Sequence, residues 1–428
     1  MNLKYYYNLA KSDLFPICRS ITGNGIQKSL KIIKKEFPKL KILKKKSGSK
    51  VYDWKIPPEW IIRDAYVKDK NDKVIIDFKI HNLHVVNFSK PIKKRIQFKY
   101  LKRKLYFNRD LPNSIPYVTS YYKKDWGFCI SYNHYKRLIK SYKPSDFFFI
   151  NINSNFKYSG NLVLGEYFLK GKNKKEILIS TYLCHPSMAN NELSGPIVSM
   201  ALINYFSNFK KLDKSIRFIF VPETIGSISY ISKNISKLKR NVLGGFNLSC
   251  IGDERKHSCM LTKYENTASD EAIIQAYKKL KIKNFKIYSF LERGSDERQY
   301  NSPGIELPIA SIFRSKYGTY PEYHSSLDDF NLVTPKGVKG GFDVAKEAIK
   351  FLLKNKYPTS KILCEPNLGK RGLYPTLSHK KKISNKISGR KYLDFLQYSD
   401  GNNSLNKIFR LISVDNIRGN KIYKKLIK

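Results

Sequence analysis

Between Gly160 and about Lys354, short apolar runs alternate with longer stretches whose apolar residues recur at helical spacing. NLVLGEYFL, EILISTYL, RFIFVPE, VLGGFNLSCI, KIYSFLE and ASIFR predict strands. Helices are predicted over Ser194–Phe209, Ser227–Ser236, Ala268–Leu280 and Val338–Leu353. Strict alternation of this kind implies an α/β sheet, mostly parallel and covered by helices on both faces. Upstream, Ile26, Leu30, Ile33 and Phe37 give one apolar helical face, and RSITGNG before them has the composition of a turn and helix cap.

The texture between about Val51 and Asn153 is different. Short β-rich runs (KVIIDFKI, HVVNFSKPI, YVTSYY, WGFCISY, DFFFINI) are broken by Pro57-Pro58, Asn71-Asp72 and Leu111-Pro112-Asn113, with one short helical pattern around Tyr135–Ile139. Beyond Tyr357-Pro358 a Pro-, Gly- and Lys-rich linker leads to two or three short helices around a Ser-Asp-Gly-Asn-Asn turn, as in a helix-turn-helix unit. The expected organisation is a discontinuous α/β domain (1–49 and 158–356), an inserted β-rich domain (50–157), a linker (357–386) and a small C-terminal helical domain (387–428). Helix-turn-helix units bind DNA or dock proteins, and the basic charge here is no denser than elsewhere.

Composition sharpens this picture at three points. A hydrophobic fraction of 41% over 428 residues suffices for packed cores and excludes a disordered chain. No run of roughly 18 uncharged apolar residues occurs, so no membrane span is expected, and MNLKYYYNLAKSDLF lacks the apolar core of a signal peptide. Cys18, Cys129, Cys184, Cys250, Cys259 and Cys364 are scattered without a C-x-x-C pair, the usage of a reducing cytoplasm. The formal charge of +47 suits a polyanionic partner, but it is spread over Lys44–Lys46, Lys93–Arg95 and Lys380–Lys382 and is mostly lysine. General lysine bias explains it more simply.

Polar clusters terminate three of the predicted strands: Cys184-His185-Pro186-Ser187, Pro222-Glu223-Thr224-Ile225-Gly226, and Tyr317–Asp329 with His324. Strand ends of one parallel sheet converge on one edge, where two histidines and a glutamate can form a zinc site with a general base. A fourth segment, Glu292–Tyr300, sets three acids and two arginines beside a glycine, as a solvated loop or a substrate-binding loop would. Its Arg293, Glu297 and Arg298, together with Tyr323, are the candidate substrate contacts. His81 and His84 could pair as ligands, but they sit beside the strand-like HVVNF and no third His or Cys follows nearby, which favours a structural role.

In this order, CHPSMANNELSG, FVPETIG, GSDERQYNSPG and YPEYHSSLDD resemble the bacterial aminopeptidase-like proteins related to co-catalytic zinc aminopeptidases. LFPICRSITGNG, DWKIPPEW and YVTSYYKKDWGFC extend the resemblance over nearly the whole chain. It implies a zinc-peptidase-like α/β core, an inserted β-rich domain, a C-terminal winged helix and an association with polysaccharide or surface-glycan biosynthesis. It also implies His185 and His324 as zinc ligands and Glu223 as the catalytic base. Thr224 and Ser249 stand where the resemblance places further acidic ligands, so one ion is expected and not two. Asn191 stands where it places a zinc-binding Asp, and a neutral amide oxygen is a poorer ligand. Asp296 or Glu297 is an alternative carboxylate. The expected activity is zinc-dependent hydrolysis of an amide or peptide bond in a peptide or glycan-linked substrate. The competing expectation is a degenerate, non-catalytic ligand-binding member. Nucleic-acid binding through the C-terminal helices ranks last.

Overall fold

The computed structural model describes residues 2–373 and 387–427. Its centre is an eight-stranded mixed sheet. From edge to edge the strands are Lys41–Lys46, Asn161–Leu169, Ser215–Val221, Glu176–Tyr182, Val242–Leu248, Ile309–Phe313, His257–Met260 and Phe285–Tyr288. Ser215–Val221, Glu176–Tyr182, Val242–Leu248 and Ile309–Phe313 run parallel. Asn161–Leu169 on one side and His257–Met260 on the other are antiparallel to them.

The central strands are buried on both faces, which explains their unbroken apolar runs. Ile177, Ile179, Phe218 and Phe220 face one hydrophobic cluster. Leu178, Ile219 and Val221 face another. The first cluster is covered by the helices Asn24–Glu36, Ser194–Ser207, Ala268–Lys279 and Pro335–Lys354, and the N-terminal Leu3, Tyr6 and Tyr7 pack into it. The helix Ile225–Asn241 covers the second through Tyr230, Ile231 and Leu238. It starts two residues earlier and ends five later than the sequence pattern predicts. Ser194–Ser207 is apolar almost all round and buried from Ser194 through Ile203. A Cβ at Gly195 would stand 2.2 Å from both Leu248 O and Thr181 Oγ1, so only glycine lets this helix approach the sheet.

Several strands were not legible, among them His257–Met260 in the central sheet. Lys41–Lys46 (KILKKK) forms the sheet's edge, where lysines discourage pairing with another chain. Glu59–Lys68 pairs with Phe147–Lys157 in a separate four-stranded sheet with Val74–Asp77 and Ile92–Gln97. Conversely, YVTSYY is not a strand: only an isolated Asn87–Thr119 bridge touches it. HVVNFSKPI divides into a 3-10 turn at Asn82–His84, loop, and the strand starting at Ile92. Trp60, Phe128, Phe148 and Ile150 form a core of this region that extends to Cys184, Ile225 and Ile228. It therefore abuts the strand end that carries His185.

His81 and His84 are not paired ligands. His81 Nδ1 accepts from Leu83 N, and His84 Nδ1 lies 2.8 Å from Cys129 O. The C-terminal helices Gly389–Gln397, Leu405–Leu411 and Asn416–Leu426 enclose a small core of Phe395, Ile408, Phe409, Ile412 and Ile422. Ser404 Oγ and Arg410 Nη2 donate to Glu271 at 2.8 and 2.9 Å, anchoring this unit to the α/β core. Lys380–Lys382 lie outside the described residues. Among those described, no helix is long and apolar enough to cross a membrane, and Cys18, Cys129, Cys184, Cys250, Cys259 and Cys364 are free thiols.

Candidate active site

The chain leaves the strand Glu176–Tyr182, turns through Ser187 at φ 45°, and winds into a π-helical turn over Ala189–Leu193 before the helix Ser194–Ser207. Asp328 holds this turn. Its carboxylate accepts from Ala189 N at 3.2 Å, from Asn190 N and Asn191 N, and from Tyr320 Oη at 2.8 Å. The loop containing His324 is thereby tied to the loop containing His185.

His185 is 4% exposed. Its Nδ1 donates to Glu192 Oε2 at 2.6 Å, and its Nε2 stands 3.6 Å from Glu223 Oε2. Arg19, fully buried, donates from Nε to His185 O at 2.9 Å and lies 3.9 Å from Glu192 Oε1. A carboxylate on one imidazole nitrogen fixes the tautomer and turns the other nitrogen outward as a ligand or base partner. Burial opposes charge on His185, but Cys184 and Glu192 hold its pKa well above the ordinary value, so without metal the ring carries a proton on Nε2 that a cation binding there displaces.

His324 adopts φ 56°, a conformation that costs a non-glycine residue of order 1 kcal/mol or more. Tyr323 stacks on its ring with centroids 3.9 Å apart. The rings of His185 and His324 are 5.5 Å apart, with Tyr117 edge-on to them at 5.1 and 5.2 Å. Burial, reinforced by the charge on His185, lowers the His324 pKa to about 3, so this imidazole is neutral, as metal ligation requires.

Glu223 stands two residues beyond the strand Ser215–Val221, and Thr224 after it takes φ 65° to begin the helix Ile225–Asn241. Burial raises the Glu223 pKa, with His185 pulling against it. Asp296 accepts from Thr224 N and Ser227 Oγ, each at 2.7 Å through Oδ1, and thus caps that helix. Burial and the nearby Glu223 raise the Asp296 pKa to about 7.

Asn191 is buried, and its Nδ2 donates to Tyr182 Oη at 2.8 Å. That leaves Oδ1 without a donor. Asn191 Oδ1, Asp296 Oδ2 and His324 Nε2 are all buried atoms with no hydrogen-bond partner. Each such group costs about 1–3 kcal/mol when left unsatisfied. The unpartnered His324 Nε2, on a ring 5.5 Å from that of His185, fits a site that receives a cation through His185 Nε2, His324 Nε2 and one oxygen.

Glu297 corrects the sequence reading. Its Oε1 accepts from Gly294 N, Ser295 N and Tyr317 Oη, and its Oε2 accepts from Asn247 Nδ2 and Ser311 Oγ. It is a buried loop brace with no free lone pair facing solvent, not a substrate contact or a spare ligand. Arg298 is exposed and donates to Thr224 Oγ1 at 2.7 Å; Arg293 is exposed and lies over the Phe290 ring. Glu192, Arg19, Asp328 and Tyr117 were missed as contributors. Among the described residues, the single set of three His, Cys, Asp or Glu side chains with ligand atoms all within 4.8 Å is Cys184, His185 and Glu192. Glu223 and His324 therefore stand around His185 without forming so tight a cluster.

Comparison with known proteins places this geometry. Residues 7–355 match the family described as domain of unknown function DUF4910, and residues 355–428 match a winged helix-turn-helix. A Clostridium acetobutylicum protein named "Putative polysaccharide biosynthesis protein with aminopeptidase-like domain" is 41% identical over 374 residues, 86% of this chain and 82% of its own. A crystal structure from Clostridium acetobutylicum, described as a putative peptidase, superposes with a TM-score of 0.79 at 36% identity, covering 100% of this chain and 95% of that one. The zinc aminopeptidase BSAP from Bacillus subtilis superposes with a TM-score of 0.60 at 15% identity, over 84% of this chain and 96% of that one, and shares the fold. The α/β unit is therefore aminopeptidase-like, followed by a C-terminal winged helix.

Proposed function

Since the chain belongs to the DUF4910 family, with an aminopeptidase-like fold and a C-terminal winged helix, we propose that it is a mononuclear zinc-dependent hydrolase of an amide bond. The observation that carries this reading is the arrangement at His185: Nδ1 locked on Glu192 at 2.6 Å, Nε2 3.6 Å from Glu223, and His324 presenting an unpartnered Nε2.

His185 and His324 would hold the ion, with Asn191 Oδ1 or Asp296 Oδ2 as the oxygen donor. When bound, zinc supplies Lewis acidity toward the amide carbonyl and lowers the pKa of water. Glu223 takes a proton as water attacks the carbonyl carbon and returns it to the departing amine nitrogen as the C–N bond breaks. Burial, which raises its pKa, favours that exchange. Tyr117 and Tyr323 shield the imidazoles from solvent. The name of the Clostridium acetobutylicum relative supports a substrate from polysaccharide biosynthesis, such as an amide-bearing glycan. The free thiols fit a reducing, cytoplasmic setting.

Asn191, Thr224 and Ser249 support a second reading, a non-catalytic member that binds such a ligand without turnover. The two separate on zinc-loaded protein assayed against amide substrates. Hydrolysis that Glu223→Gln lowers about 10²–10⁴-fold supports the enzyme. Full zinc occupancy without hydrolysis of any amide supports the binding reading.

A further inference from the structure

A cavity of about 510 Å³ opens beside the site, lined by Phe88, Tyr121, Tyr122, Phe156 and Tyr158. Lys55, Lys90, Lys123 and Lys124 also line it, with Gly48, Ile56, Pro57 and Pro58, and the lining contains no carboxylate. All four lysines are exposed, and none has an acidic side chain within ion-pair distance among the described residues. Tyr122 is 60% exposed and Tyr158 66% exposed, unusual for large rings on one surface. Trp54 braces Tyr122 edge-on at 5.6 Å.

Two tyrosines link the wall of this cavity to the candidate catalytic residues. Tyr121 packs on Phe88 with centroids 5.7 Å apart, and its hydroxyl is hydrogen-bonded to that of Tyr117. Tyr117 in turn touches both His185 and His324. One pair of tyrosines separates the lysine-rimmed pocket from the imidazoles.

The geometry points to this pocket as a binding subsite for an anionic, N-acylated oligosaccharide, the glycan part of the substrate whose amide reaches His185, His324 and Glu223. This rests on the hydrolase reading above. Exposed aromatic faces suit the C–H faces of sugar rings, and unpaired lysines suit the carboxylates of acidic sugars. An acidic peptide is less suited, because an extended peptide gains affinity by pairing with a free strand edge. Here Ile56 N donates to Ser49 O and Ile56 O accepts from Gly48 N, while Pro57 and Pro58 have no N–H to offer.

The test is calorimetric titration of the metal-free, full-length Glu223→Gln chain with a hyaluronan hexasaccharide, which alternates uronate and N-acetylhexosamine. Chitohexaose is the neutral N-acylated control and hexaglutamate the acidic peptide control. The hexasaccharide is expected to bind at least about tenfold more tightly than either control. Lys123→Ser with Lys124→Ser, and separately Tyr122→Ala with Tyr158→Ala, should each weaken it about tenfold. Lys210→Ser with Lys211→Ser, which removes the same charge from the exposed loop before the strand Ser215–Val221, at the end of that strand away from Glu223, should change it less than about twofold if binding is local and not diffuse.

Absence of hexasaccharide binding overturns the proposal. So do equal or tighter binding of hexaglutamate or chitohexaose, and an equal loss from the Lys210 and Lys211 pair. Zinc uptake by the unsubstituted chain is measured in parallel. Zinc bound without the saccharide defeats this subsite alone, and saccharide bound without zinc defeats the hydrolase reading alone.

Discussion

Glu192 holds His185 from behind, its carboxylate 2.6 Å from the imidazole Nδ1 in a region closed to solvent. Nothing else in the site orients this ring so directly, and the outward Nε2 owes its direction to the contact. Carboxylates that support ligand histidines typically account for 10–100-fold in metal affinity. Glu192→Gln should therefore weaken zinc binding by about that factor, measured by competition with a chelator. Unchanged affinity would show that Arg19 and the loop alone suffice.

Asn191→Asp should do the opposite. A carboxylate in place of the orphaned amide oxygen is a better zinc ligand, and chelator competition should show affinity raised about tenfold or more. Without metal the variant loses the Nδ2 bond to Tyr182 Oη, and its stability in urea should fall by roughly 1 kcal/mol.

The brace formed by Glu297 yields a third prediction. Glu297→Ala leaves Ser295 N, Tyr317 Oη and Asn247 Nδ2 without their acceptor. The expected result is destabilisation by at least about 3 kcal/mol in denaturant unfolding. A variant of native stability whose sole defect is a raised KM would restore Glu297 as a substrate contact.

Acid sensitivity gives a fourth. Burial, together with the charge of Arg314, lowers the His257 pKa to about 4, and Arg314 donates to its Nε2. The unfolded chain, with a histidine pKa near 6.5, takes up this proton first. The stabilisation is complete above about pH 6.5 and is lost as pH falls toward 4. Asp296 and Asp328, raised by burial to about 7 and about 6, act in the opposite sense, so the overall slope is ambiguous. The difference between the unsubstituted chain and His257→Gln isolates the histidine. Urea unfolding at pH 7 and pH 4.5 should show the parent losing about 1 kcal/mol more than the variant, allowing for solvent screening of a part-exposed ring.

Much of this site was legible because burial on both sheet faces forces unbroken apolar runs, and the polar residue that ends each run marks the strand's end. His185, Glu223 and His324 were found that way. Glu192 was not, because adjacency to Asn191 gives no direction until the π-helical turn over Ala189–Leu193 is known. Tyr117 was hidden for another reason: it sits in YVTSYY, which looks like a strand but is part of the loop between the short paired strands Leu105–Tyr106 and Phe128–Cys129, with Tyr117 N bonded to His324 O at 2.8 Å. Arg19 reads as an ordinary turn residue, and only its complete burial shows what it supports. The edge strand Lys41–Lys46 is masked by its lysines, which face solvent while Ile42 packs inward.

The central claim is that His185 and His324 together hold one zinc ion. Anomalous diffraction at the zinc edge, on crystals of zinc-reconstituted protein, tests it most directly. The account predicts one ion per chain, about 2.0–2.1 Å from both His185 Nε2 and His324 Nε2. An ion on the Cys184–Glu192 side of His185, or no ion at a zinc concentration that saturates BSAP, would contradict it.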